Sequence, residues 1–383
     1  MTNRLIAWPL SLARPLSLAV PVVSIAAVLS AGLTAAHAAP AAKAGWRVIK
    51  AFGLPNTDLT SIVAFRHGAA PWLGGMALSP KLQFYAAVES LAPMAQPLTA
   101  LTTQLGTGVN GLSATSPTNV WASLEGVTGG QVDRKSGGGW HAYSFAIGSD
   151  DILMAPVVTT GPKSTWALDE DFTTGIAYGY HFNGSKWHRQ VLPAAPDANG
   201  SVGYVSASSG RNIWALTFVK NNWASLRYDG SKWQVIPFPR KLAPAGTTLG
   251  ARQILALSAK NVWATMGTET KTGLGPLVLL HWNGSRWSKV AGKLPADSLT
   301  GPIASDGNGG IWLAAGRRAS AVPVILHYSR GRWATFKEPT FKGKGVAIAD
   351  LTLIPGTRSV IGTAIIPGLG ESTDGTAVIK YGP

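Results

Sequence analysis

The chain has 383 residues, of which only 13% are charged against 45 Gly and 25 Pro. No stretch has the period of a long amphipathic helix, which excludes helix bundles and points to an all-β domain rich in turns. Cysteine is absent, so disulfides, thiolate metal sites and cysteine nucleophiles are excluded, while the formal charge of +15 favours anionic partners.

Residues 1 to about 38 combine basic Arg4 and Arg14 with an apolar run from Leu16 to Leu33 and the small-residue site Ala36-His37-Ala38. This pattern predicts a cleaved signal peptide over 1–38 and a secreted mature chain over 39–383, with no stable membrane insertion after cleavage. Removal of the two arginines leaves +13, since the leader holds no acid. The alternative is an uncleaved anchor, because about 18 apolar residues just span a bilayer. Pro21, Gly32 and the Ala-rich end favour cleavage.

The mature chain is a repeat. A small-residue or β-branched position followed by Trp recurs at Trp72, Trp121, Trp166, Trp214, Trp263 and Trp312, and once more without its Trp at Ile361. The spacings of 49, 45, 48, 49, 49 and 49 residues mark a repeat architecture. Each period has room for four short strands, here A to D. Strand B carries the Trp element, strand C ends near a polar-aromatic pair such as His281-Trp282, and a tight turn such as Asn283-Gly284-Ser285-Arg286 leads to a Trp that opens strand D. That hairpin Trp falls at Trp46, Trp140, Trp187, Trp233, Trp287 and Trp333, with one copy decayed in a diverged stretch over about residues 80–110.

Seven four-stranded units in about 345 residues predict a single seven-bladed β-propeller, which closes on itself and leaves only short edges. The run Ala377–Gly382 aligns with strand C and Gly45–Ile49 with strand D. The N-terminal strand is therefore expected to complete the last blade.

The Val-Trp-Ala element followed by aromatic-Asn-Gly-Ser-x-Trp resembles the repeats of secreted bacterial β-propeller proteins with Asp-box-like or kelch-like hairpins. That resemblance covers nearly all of the mature chain and implies fold and export, not activity, because propellers carry enzymes, receptors and scaffolds alike. A galactose-oxidase-like copper site needs a Cys, and there is none.

Twelve of the fourteen mature Trp residues fall in the two repeat columns, which assigns them to packing between blades. Trp223 stands outside both, as a rim platform for a sugar ring or as a loop anchor. His181, His281 and His327 share one column and lie on different blades, so they suit hydrogen bonding within each blade rather than one shared metal. Aspartates recurring ahead of strand A, at Asp58, Asp151, Asp297 and Asp350, read as turn caps.

The loops divide by face. Arg66, Lys163, Arg211, Lys260 and Arg358 fall in A–B turns, and Lys186, Lys232, Arg286, Arg330 and Arg332 in C–D turns of the same face, opposed by Asp229 and Asp306. On the other face Asp150, Asp151, Asp169, Glu170 and Asp171 converge in one blade, as carboxylates for Ca²⁺ or glycoside hydrolysis or as solubilising residues. No catalytic signature appears. The sequence therefore predicts a monomeric, non-catalytic binding or scaffold propeller for anionic or carbohydrate polymers, with a carbohydrate-active enzyme as the alternative.

Overall fold

The computed structural model describes residues 45–382 apart from 53–56, 80–82, 93–97, 103, 105, 126–129, 146–155, 172–173, 194–201, 220–221, 240–241, 243–246, 271–272, 275–276, 293, 295–297, 318–319 and 367–374. Seven antiparallel sheets, each with a four-stranded A–B–C–D path, follow one another along the chain. Blade 1 comprises Thr57–Val63, Trp72–Leu78, Phe84–Ser90 and Thr99–Ala100; blade 2 comprises Gly108–Ser116, Asn119–Glu125, Gln131–Ser136 and Gly139–Ser144. Blade 3 is built from Val157–Gly161, Ser164–Asp171, Ile176–Phe182 and Trp187–Val191, and blade 4 from Val202–Ser209, Asn212–Val219, Asn222–Tyr228 and Trp233–Pro237. Thr248–Ser258, Asn261–Thr270, Val278–Trp282 and Trp287–Lys289 form blade 5; Ser298–Ser305, Ile311–Arg317, Ser320–Ser329 and Arg332–Phe336 form blade 6. Blade 7 takes strands A to C from Ala347–Leu353, Val360–Ile366 and Gly375–Tyr381, and its D strand from Trp46–Ala51.

The N-terminal strand closes the last blade as the sequence requires: Trp46 pairs with Tyr381 and Ala51 with Ala377. Each A strand contacts the A strands of the blades before and after it, blade 7 meeting blade 1, so the A strands form the inner wall and the ring is closed.

The Trp columns lock each blade to the next. The strand-B Trp of one blade meets the hairpin Trp of the following blade edge to face: Trp72 with Trp140, Trp121 with Trp187, Trp166 with Trp233, Trp214 with Trp287 and Trp312 with Trp46, at 5.4–5.7 Å and 80–89°. Trp263 instead meets Tyr328 edge-on and packs in one cluster with Trp333. Rings prefer this geometry because a positive edge meets a negative face.

Two irregularities of the sequence are one event in space. The strand-B column lacks its Trp at Ile361 in blade 7, and the hairpin column lacks its Trp in blade 1. Those two positions face each other across the seam between blades 7 and 1. Mainly aliphatic packing replaces them, with Ile361, Val378, Leu59, Ile62 and Leu73 in one buried cluster with Phe52. Polar links add to it. The Leu59 amide donates to Thr376 Oγ1 at 2.9 Å, Thr376 Oγ1 donates to the Thr57 carbonyl at 3.0 Å, and Lys50 Nζ lies 3.5 Å from Glu89 Oε1. The decayed D strand of blade 1 is only Thr99–Ala100; Thr107 Oγ1 and the Leu101 amide take over bonding to the Ala86 backbone.

The inner strands are also stitched. Ser61 Oγ accepts the Leu112 amide, Ser113 Oγ the Thr159 amide, Ser206 Oγ the Ala256 amide, Gln253 Oε1 the Ile303 amide and Asp350 Oδ2 the Ile62 amide, all at 2.7–3.0 Å. Each bond crosses from one blade to the next. This corrects the reading of Asp58 and Asp350 as turn caps, since both lie inside strand A. Asp151 and Asp297 lie outside the described residues.

Candidate functional site

The repeated C–D turn explains how one face becomes basic. In blades 3, 4 and 5 the first turn residue, Asn183, Asp229 or Asn283, uses Oδ1 to accept the amide and hydroxyl of the Ser two positions on and the next amide, at 2.7–3.1 Å. The amide that closes this turn belongs to Lys186, Lys232 or Arg286. The second turn residue is Gly at φ of 100–104°, a region that suits glycine.

Glycine serves a second purpose there. A Cβ on Gly184 would lie 2.7 Å from Lys163 Cγ, one on Gly230 2.6 Å from Arg211 Cγ, and one on Gly284 2.8 Å from Lys260 Cγ. The cation of the A–B turn therefore lays its aliphatic stem across the C–D turn of its own blade, keeping its charged head in water. Lys163 thus packs on the turn that carries Lys186, Arg211 on the turn of Lys232, and Lys260 on the turn of Arg286. All six are exposed.

Blade 6 reaches a similar end differently. Arg330 and Gly331 have φ of 51° and 78°, a tight hairpin turn that presents Arg330 and Arg332 to solvent. Arg358 and Arg66 are exposed in the A–B connections of blades 7 and 1. The two acids of this face are held by neighbours. Asp229 is kept well below the usual carboxylate range by the Lys232 amide, with further bonds from Ser231. Burial of Asp306 would raise its pKa, but bonds from His327, Asn308 and Gly310 outweigh that and lower it.

A polar layer lies directly beneath this face. Asn119 Oδ1 accepts Trp121 Nε1 at 3.2 Å and Arg134 Nε at 3.3 Å, and Asn212 Oδ1 accepts Trp214 Nε1 at 2.9 Å. Asn261 Oδ1 is 3.0 Å from His281 Nε2, and Asp306 Oδ2 is 3.0 Å from His327 Nε2. The strand-C partner covers the Trp ring, with His327 stacked on Trp312 at 4.2 Å and Arg134 and Arg227 over Trp121 and Trp214 at 5.2 and 5.4 Å. The three histidines are thus ring covers within separate blades. Burial lowers the pKa of His181, with His188 adding to the effect, and of His281, so both are neutral near pH 7. The signal for this layer was present in sequence as Asn-x-Trp at Asn119, Asn212 and Asn261.

The opposite face differs from the sequence expectation. Strand B of blade 3 runs through Asp171, so Asp169 and Glu170 are buried strand residues instead of open loop carboxylates. Asp171 caps its turn, accepting the Thr174 amide at 3.1 Å. Asp150 and Asp151 lie outside the described residues. Among the described residues no group of three His, Asp or Glu is placed to hold a metal ion. Trp223 donates Nε1 to the Leu249 carbonyl at 2.6 Å and meets Phe218 edge-on at 5.3 Å, which ties blade 4 to blade 5. It serves as an anchor.

Comparison with solved structures finds this ring elsewhere. YCF48 from Cyanidioschyzon merolae is similar at a TM-score of 0.55 and 14% identity, over 88% of this chain and 98% of that one. YCF48 bound to a D1 peptide is similar at 0.55 and 13%, over 88% and 97%. The extracellular domain of a putative hybrid two-component system from B. thetaiotaomicron is similar at 0.56 and 13%, over 88% of this chain and 39% of that one. The likeness is one of fold. The chain matches no protein-family model and no curated protein sequence.

Proposed function

We propose that this protein is a secreted, non-catalytic binding propeller whose A–B and C–D face holds polyanions such as acidic envelope polysaccharides or teichoic acids. The observation that carries the reading is the packing of Lys163, Arg211 and Lys260 against the turns that carry Lys186, Lys232 and Arg286 on three successive blades, with all six cations exposed. Exposed cations in a row raise the local concentration of a flexible polyanion without reading its sequence. The burial of Asp169 and Glu170 in a strand favours binding over hydrolysis, which needs two carboxylates facing a cleft.

The testing experiment is polyanion binding by the mature chain across a salt series, with Lys186→Ser, Lys232→Ser, Arg286→Ser and Arg332→Ser combined as the comparison. Binding indifferent to salt, or unchanged in the combined variant, overturns the reading.

A further inference from the structure

A second site lies at the other end of the ring. In blades 1, 2, 4, 5, 6 and 7 the A–B register shifts just past the Trp row, toward the D–A connection. Such a bulge inserts a residue that has no partner in the ladder and re-aims its side chain. The inserted residues include Asn110 in blade 2, Tyr204 in blade 4 and Arg252 in blade 5. Because the A strands form the inner wall, these residues lie on that wall toward the end of the ring opposite the basic turns.

Tyr204 is the anomaly among them. Its φ is 51°, a left-handed backbone that bulky side chains avoid, and the residue is 44% exposed. It has no hydrogen bond or ring contact among the described residues. Strain of this kind clusters where it positions a group for use. Arg252, at the corresponding bulge of the next blade, lies against the backbone of strand B, with Nε 3.1 Å from where a Cβ on Gly267 would sit. A side chain at 267 would crowd the guanidinium, and Arg252 as a residue is partly exposed.

We propose that this end of the ring binds an acidic sugar residue, its ring stacked on Tyr204 and its carboxylate held by Arg252. A sugar presents an apolar C–H face to an aromatic ring, and the planar guanidinium fork matches a carboxylate. The site is separate from the basic face and stands without it.

The test uses a glucuronate-containing disaccharide and its neutral glucose counterpart in calorimetric titration of the mature chain already carrying the four Ser substitutions on the basic face. The acidic disaccharide should bind and the neutral one not, and Tyr204→Gly or Arg252→Gln should each weaken binding about tenfold or more. Glycine relieves the strain at φ 51°, so Tyr204→Gly should also raise the melting temperature, which separates lost binding from lost fold. Absence of binding, equal binding of the neutral sugar, unchanged affinity in both variants, or a lower melting temperature for Tyr204→Gly overturns the proposal.

Discussion

Asp350 Oδ2 accepts the Ile62 amide at 2.9 Å across the seam between blades 7 and 1, and its other oxygen accepts its neighbour Leu351 at 2.8 Å. Burial pushes the Asp350 pKa up to about 7, although these two bonds pull the other way. The folded protein therefore keeps this proton where the unfolded chain has released it. The resulting stability is fully present below about pH 4, the unfolded value, and is lost as pH rises through about 7. Burial pushes Asp133 up to about 6, with the same sign. These two carboxyls should make the melting temperature fall between pH 4.5 and 7.5, against an opposing rise from His181 and His281, whose lowered pKa values favour the folded state as pH climbs to about 6.5. Asp350→Asn removes the titration and leaves one accepting oxygen for the Ile62 and Leu351 amides, so its stability profile across this pH range should be flatter than that of the wild type.

The hairpin turns should each contribute measurably. Asn283→Ala removes one oxygen that accepts three bonds and is expected to cost about 1–2 kcal/mol in denaturant unfolding. Gly284→Ala meets both φ of 100° and Lys260 Cγ at 2.8 Å. It should cost about 1 kcal/mol or more and displace Lys260, weakening polyanion binding as well.

Restoring the consensus Trp at position 361 should harm the protein. Ile361 is buried in a cluster where Phe52, Leu59, Ile62, Leu73 and Val378 already fill the seam. Ile361→Trp therefore overfills the seam, at about 1–3 kcal/mol. By contrast, Trp214 and Trp287 meet at 5.7 Å and 89°. A double-mutant cycle on that pair should show coupling of about 0.5–1.5 kcal/mol.

Removing residues 39–51 should expose the Gly375–Tyr381 strand edge and leave Trp312 without Trp46 and Glu89 without Lys50. Light scattering should report aggregation. A peptide covering residues 45–52 should suppress it by supplying the missing strand.

Polyanion affinity should fall steeply between 50 and 500 mM salt, because binding releases counterions and exposed charges are screened within about 8 Å at physiological ionic strength. The four Ser substitutions should reduce both affinity and salt slope while leaving the melting temperature within about 1 kcal/mol equivalent, since exposed charges contribute little to stability.

The sequence by itself determined the blade count, the strand order and the closure by Trp46–Ala51, because each is written in residues that recur at fixed spacing and have one low-energy use. Asn-Gly before Trp makes a hairpin, and a Trp column must be buried. It also determined that the A–B and C–D cations share a face, which follows from antiparallel alternation. Only the tertiary structure decided which residues meet. The partnership of Ile361 with the lost hairpin Trp of blade 1 joins opposite ends of the chain, and no local pattern encodes it. Asp350 read as a cap because Asp favours turns; a bulge inside the strand re-aimed it to the neighbouring blade. Asp169 and Glu170 read as loop residues from their charge, but the ladder with Ile176–Phe182 extends past them and buries both. Tyr204 carried no sequence signal, since its left-handed backbone arises from a register shift that depends on how strands A and B pair.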